Sequence, residues 1–121
     1  MTEDNDKLCD ACSIGDIPNI LSILKEEKAS DFNTALFNAC ENGHTPVVNL
    51  LMAKKKDYIN LWHLQWGLFM ASRNGHLDTV KYLVKILSKN NEDDLDSALF
   101  FALKDGHKDI VEYLRQKGAK N

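Results

Sequence analysis

The sequence predicts an all-α solenoid of four helix-turn-helix units. Three observations carry this reading. The run Gly75-His76-Leu77-Asp78-Thr79-Val80 returns as Gly43-His44-Thr45-Pro46-Val47-Val48 and as Gly106-His107-Lys108-Asp109-Ile110-Val111, with a worn copy at Gly15-Asp16-Ile17-Pro18-Asn19-Ile20. These glycines are 28, 32 and 31 positions apart, a period that marks stacked repeats. Finally, a short helix rich in small residues precedes each glycine, and a longer amphipathic one follows it.

The first helices centre on Leu8-Cys9-Asp10-Ala11-Cys12, Leu36-Phe37-Asn38-Ala39-Cys40, Leu68-Phe69-Met70-Ala71-Ser72 and Leu99-Phe100-Phe101-Ala102-Leu103. In the third unit the second helix places Val80, Leu83, Val84 and Leu87 at spacings of three and four, one apolar stripe. Each glycine reads as the left-handed residue just past a helix end, a conformation that glycine adopts without steric cost. Thr34 and Ser97 are expected to cap the first helices of units two and four. Pro18 and Pro46 fall in first turns, where proline removes no needed hydrogen bond. Ala11, Ala39, Ala71 and Ala102 allow close helix approach. Leu8, Leu36, Leu68 and Leu99, with Ile23, Leu51, Leu83 and Leu114, are the expected core. The units run approximately over 5–30, 31–61, 62–94 and 95–121, all within a single domain 1–121.

Composition excludes several classes. The chain of 121 residues is 44% hydrophobic and 27% charged, with a net charge of −3, and its pI is near 5.7. That balance argues against nucleic acid, whose binding needs clustered Lys and Arg. Apolar runs are far shorter than the ~20 residues of a membrane span. The acidic start, Met1 to Asp6, lacks a signal-peptide layout. Three cysteines fit a reducing compartment, so the expected location is cytoplasmic.

The frame Thr34-Ala35-Leu36-Phe37-Asn38-Ala39-Cys40-Glu41-Asn42-Gly43-His44, then Val47-Val48-Asn49-Leu50-Leu51, resembles the ankyrin repeat. That family's pattern is Thr-Pro-Leu-His-x-Ala-Ala-x-x-Gly-His, then a Val/Leu helix and Gly-Ala-Asp-x-Asn. Lys117-Gly118-Ala119-Lys120-Asn121 is similar to the start of the last element, and the resemblance spans roughly residues 7–121. The chain is thus identified as a divergent four-repeat member whose first repeat is degenerate. Its departures are instructive. Ala35, Gly67 and Ala98 stand in place of the family's Pro, and Phe37, Phe69 and Phe100 in place of its His. Aromatic packing is therefore expected along the seam. The β-hairpin fingers look reduced: Lys25 to Phe32 leaves little room for one, and 91–96 reads as a polar loop. Asp57-Tyr58-Ile59-Asn60 alone resembles a finger, running into Leu61-Trp62-His63-Leu64-Gln65-Trp66.

No arrangement for catalysis emerges, so no catalytic, cofactor-binding or metal residue is assigned and no cofactor is expected. Cys9-Asp10-Ala11-Cys12 lacks the second ligand pair that structural zinc needs, and Cys12 and Cys40 share a repeat position with Ser72, as small interior fillers. His44, His76 and His107 come one per repeat, ~8–10 Å apart by helix packing, too far to share a metal. Each is expected to support its own turn. Lys54-Lys55-Lys56 closes a helix, and Glu92-Asp93-Asp94 lacks the calcium-loop pattern.

The resemblance implies a protein–protein interaction module that uses its fingers and the exposed, concave face of its first helices. Carried over by position, the partner-binding residues are Asn38, Glu41, Met70, Arg73, Asn74, Phe101 and Lys104, with Trp62, His63 and Trp66 just upstream. Trp62, Met70 and Arg73 are the expected anchors, being residue types common at hot spots. The tryptophans have a second reading, as plugs for the shortened finger. A protein partner of unknown identity and a monomeric state are expected. The alternative is a scaffold fragment or self-associating segment of a larger protein, since the chain ends as a new repeat would begin. Divergent arrays of this kind also occur in pathogen and viral proteins that capture host factors. Phe100 and Phe101 are adjacent and cannot share one helix face, so an exposed Phe101 would favour self-association.

Overall fold

A computed structural model describes residues 2–87 and 92–120, with no account of the Thr2 side chain. The helices are α1 (Thr2–Ile14), α2 (Ile17–Glu26), α3 (Phe32–Glu41), α4 (Thr45–Lys55), α5 (Leu61–Arg73), α6 (Leu77–Ile86), α7 (Glu92–Lys104) and α8 (Lys108–Gln116). A single 3-10 turn, Lys56–Tyr58, follows α4. There is no β-strand among the described residues, so the fold is the all-α repeat stack with reduced fingers that the pattern predicts. The odd-numbered helices pack side by side as an inner row, and each even-numbered helix packs chiefly against its own inner helix.

One turn serves all four units. Asp16, His44, His76 and His107 each donate their backbone N–H to the carbonyl of the alanine five residues earlier, at 2.9–3.0 Å. The intervening glycines have φ between 74° and 84°, which closes the helix end as a left-handed cap. The alanines are at most 2% exposed, and Leu8, Leu36, Leu68 and Leu99 are fully buried beside them. Helix α2 begins on an Asp16 carboxylate that accepts from the Asn19 N–H.

The histidines act differently from expectation. They stand at the N-cap positions of α4, α6 and α8 but make no side-chain cap. Instead each ring reaches back to the preceding unit. His44 Nε2 donates to the Ser13 carbonyl at 2.8 Å, and His107 Nε2 donates to the Arg73 carbonyl at 2.7 Å. Both acceptors lie in the last turn of an inner helix, where carbonyls lack intrahelical partners. The rings also lie over the preceding glycines: a Cβ on Gly15 would fall 2.8 Å from His44 Nδ1. The glycine–histidine pair is therefore an inter-unit joint.

Four further expectations are corrected. Asp31, not Thr34, caps α3, its carboxylate accepting from the Thr34 N–H at 3.1 Å. Ser97 lies inside α7. Residues 92–96 are helical rather than a polar loop, because Glu92, Asp93 and Asp94 suit the positive end of a helix dipole; Asn91 is outside the described residues. Leu61 to Trp66 belongs to α5 and not to a finger. Ile59 and Asn60 are extended, and the chain turns directly into helix at Leu61.

The missing fingers have a physical replacement. Asn5 Oδ1 accepts from the N–H groups of Ser30 and Asp31 at 2.7 and 3.0 Å. Asn33 Oδ1 accepts from Asn60 N–H at 2.8 Å, and Asp96 Oδ1 from Lys120 N–H at 2.7 Å. These three acceptors hold one repeat position. Backbone donors that a hairpin ladder would satisfy are satisfied by a side chain of an inner helix.

Candidate functional site

Helix α5 carries Trp62, Trp66 and Phe69, spaced by four and three residues and so on one face. Their rings form a continuous strip. Trp62 and Trp66 have centroids 6.1 Å apart, and Trp66 meets Phe69 edge-on at 5.5 Å. Phe69 stacks on Phe101 of α7 at 5.7 Å, and Phe101 touches Phe100 edge-on at 5.5 Å. Such pairs contribute about 0.5–1.5 kcal/mol each beyond buried area. The strip nevertheless stays open to solvent: Trp62 is 59% exposed and Trp66 37%. The reading of both tryptophans as plugs is thus incompatible with Trp62, while Trp66 is partly covered.

At its upper end the strip borders a cleft of about 410 Å³ lined by Thr34, Phe37, Trp62, His63 and Trp66. Trp62 packs edge-on against the His63 ring at 4.9 Å, and His63 Nδ1 is buried without a hydrogen-bond partner. At the lower end Arg73 Nε lies 3.7 Å from Asp105 Oδ2. With half the Arg73 side chain exposed, such a pair adds little stability. Lys104 is exposed beside it, and Met70 is half-buried.

The expected site residues separate into two groups. Trp62, His63, Trp66 and Phe101 come together through the ring contacts. Asn74 also serves the stack, its Nδ2 donating to the Glu41 carbonyl at 2.9 Å. Of the rings expected at the seam, Phe69 carries the strip across to α7 and Phe37 lines the cleft at its other end. For Phe69 the available signal was its spacing from Trp66 along one helix, whereas Phe37 lies on α3 and reaches the cleft only by packing. Phe101 is half-buried, and it is Phe100 that is 59% exposed. Phe100 holds the repeat position of Phe69, but α7 is the last inner helix described, so nothing stacks on it.

The cysteines are interior. Cys12 and Cys40 are fully buried, and burial pushes both thiols up to about 12. Burial and then the nearby Asp31, Asp10 and Asp6 carboxylates raise Cys9 to about 11. Thiols held protonated are poor nucleophiles and metal ligands. No group of three or more His, Cys, Asp or Glu among the described residues is placed to hold a metal, and none of their helices is long and apolar enough to cross a membrane.

The fold and this surface define a helical repeat protein with an exposed aromatic face. Two family profiles match it: ankyrin repeats (3 copies) over residues 65–121 and ankyrin repeats (many copies) over residues 36–84. The chain belongs to the ankyrin repeat family. Ankyrin repeats are in general protein–protein interaction modules and typically non-catalytic. A search of curated proteins finds no match to this chain.

Proposed function

We propose that residues 1–121 act as one non-catalytic, monomeric unit that binds a partner protein across the exposed face of its inner helices. The aromatic strip from Trp62 to Phe101 carries the reading, because contiguous exposed apolar surface of this kind marks interaction sites. Trp62 and Arg73 are the anchors, with Met70 between them and Lys104 at the rim. Both anchors are well exposed, so their loss costs the fold little. Replacing Trp62 and Arg73 together by Ala is expected to leave the melting temperature nearly unchanged and to abolish partner capture; retained capture would show that the site lies elsewhere.

A second reading, self-association, is favoured by the exposed Phe100 ring and its neighbour Leu103, 39% exposed one turn along α7. A molar mass by light scattering that rises with concentration in the native chain, but not in Phe100→Ser, would establish it.

A further inference from the structure

We propose that the cleft between Trp62, Trp66 and Phe37 receives a cationic side chain, arginine or lysine, carried on an apolar segment of the partner protein. This rests on the reading of the inner-helix face as the binding surface and specifies its occupant.

The first observation is where the chain places its own cations over rings. Lys55 Nζ sits 5.0 Å from the Phe32 ring centroid and 5.7 Å from that of Tyr58. Lys81 and Lys117 each lie 5.7 Å from the Tyr113 ring centroid. Among the described residues no lysine or arginine covers Trp62 or Trp66. Indole faces are the strongest aromatic attractors of cations, so the two best rings for a cation are among those that the chain leaves without one.

The second is the charge beside the cleft. Asp31, His63 and Asp94 hold one repeat position in three successive units, so the helices on both sides of α5 carry a carboxylate at the end where the cleft lies. Asp31 is tied to Thr34 of the cleft wall. Asp94 accepts from Gln65 Nε2 at 3.2 Å, next to Trp66. Beyond it the first turn of α7 adds Glu92 and Asp93. The only basic residues on the described inner helices are Lys7, Arg73 and Lys104, and Arg73 and Lys104 lie at the opposite ends of α5 and α7 from the cleft. A guanidinium or ammonium over the indoles therefore lies among inner helices that carry carboxylates at this end, and α3, α5 and α7 bring no lysine or arginine to it. The stem of such a side chain matches the apolar lining, since long basic side chains bury their methylenes while the head stays polar.

The test uses random peptides displayed on phage and selected against the full 121-residue chain. Selected peptides are synthesised and titrated by fluorescence, for which Trp62 and Trp66 are the chain's two tryptophans. Matched copies carry citrulline for arginine or acetyl-lysine for lysine. The expected result is a shared basic residue flanked by apolar ones, with the neutral copy binding roughly 3- to 30-fold weaker. Asp94→Asn is expected to weaken the cationic peptide more than its neutral copy. Selected peptides without a basic residue, or neutral copies that bind equally well, overturn the cationic occupant and leave the face itself standing. No selectable peptide, or peptides indifferent to Trp62→Ala in a chain with unchanged circular dichroism, overturns both.

Discussion

The Phe69 ring lies on Phe101 of the neighbouring inner helix, centroids 5.7 Å apart and planes within 24° of parallel. Where the family's pattern has a histidine, units three and four are joined by stacked rings. A double-mutant cycle with Phe69→Leu and Phe101→Leu in urea unfolding is expected to show a coupling of about 0.5–1.5 kcal/mol. Additivity within about 0.3 kcal/mol would mean that the two rings are neighbours without a joint.

The glycine–histidine joint predicts unequal costs for one substitution. Gly43 and Gly106 have nearly equal φ, 75° and 74°, so alanine at either incurs the same left-handed penalty of about 1–2 kcal/mol. At Gly43 the added Cβ would collide with the His76 ring, whereas at Gly106 it meets nothing within 4 Å. Gly43→Ala is therefore expected to be the more destabilising by about 1–3 kcal/mol, the cost of overpacking. Equal losses in thermal or urea unfolding would remove the joint from the account.

Ser72 is fully buried and its hydroxyl has no hydrogen-bond partner. Cys12 and Cys40 fill the same repeat position with a less polar atom. Ser72→Cys is expected to stabilise the fold by about 1 kcal/mol, the penalty of an unsatisfied buried hydroxyl being of that order. A loss of stability would show that the hydroxyl is satisfied in solution.

The thiols set an alkaline limit. Burial holds Cys12 and Cys40 near 12, above the ordinary value of 9.0 that they regain on unfolding. A raised pKa means that the folded state binds more protons, so stability is full below pH 9 and falls as pH climbs toward 12. Replacing both by Ala is expected to flatten that decline in urea titrations between those limits, whatever it costs at neutral pH. Near neutral pH a thiol reagent should modify half-buried Cys9 slowly and the other two only on unfolding. Rapid labelling of Cys40 would contradict its burial.

Much of the fold was legible in the chain because repetition multiplies each local signal. Four glycines in register, four buried alanines and four leucines agree on one architecture, and every one of those core residues is buried as read. The site was only half legible. Trp62 and Trp66 announce themselves by residue type and Phe69 follows them along one helix, but Phe37 meets them only once the helices are side by side. Asn74 looks like a surface residue in isolation. The Asn74 side chain donates to the Glu41 carbonyl of the neighbouring helix, a bond that no pattern along one helix shows.

By itself the sequence determined the helix pairs, their turns and the apolar stripes, since these follow from backbone sterics and from spacing along one helix. Only the tertiary structure decided where side chains reach between units. That His44 and His107 bond backward to Ser13 and Arg73, and that Asn5, Asn33 and Asp96 replace the fingers, are all contacts across about 24 to 34 residues of chain. A periodic pattern fixes which residues recur. The distance and angle between neighbouring helices fix which of them meet.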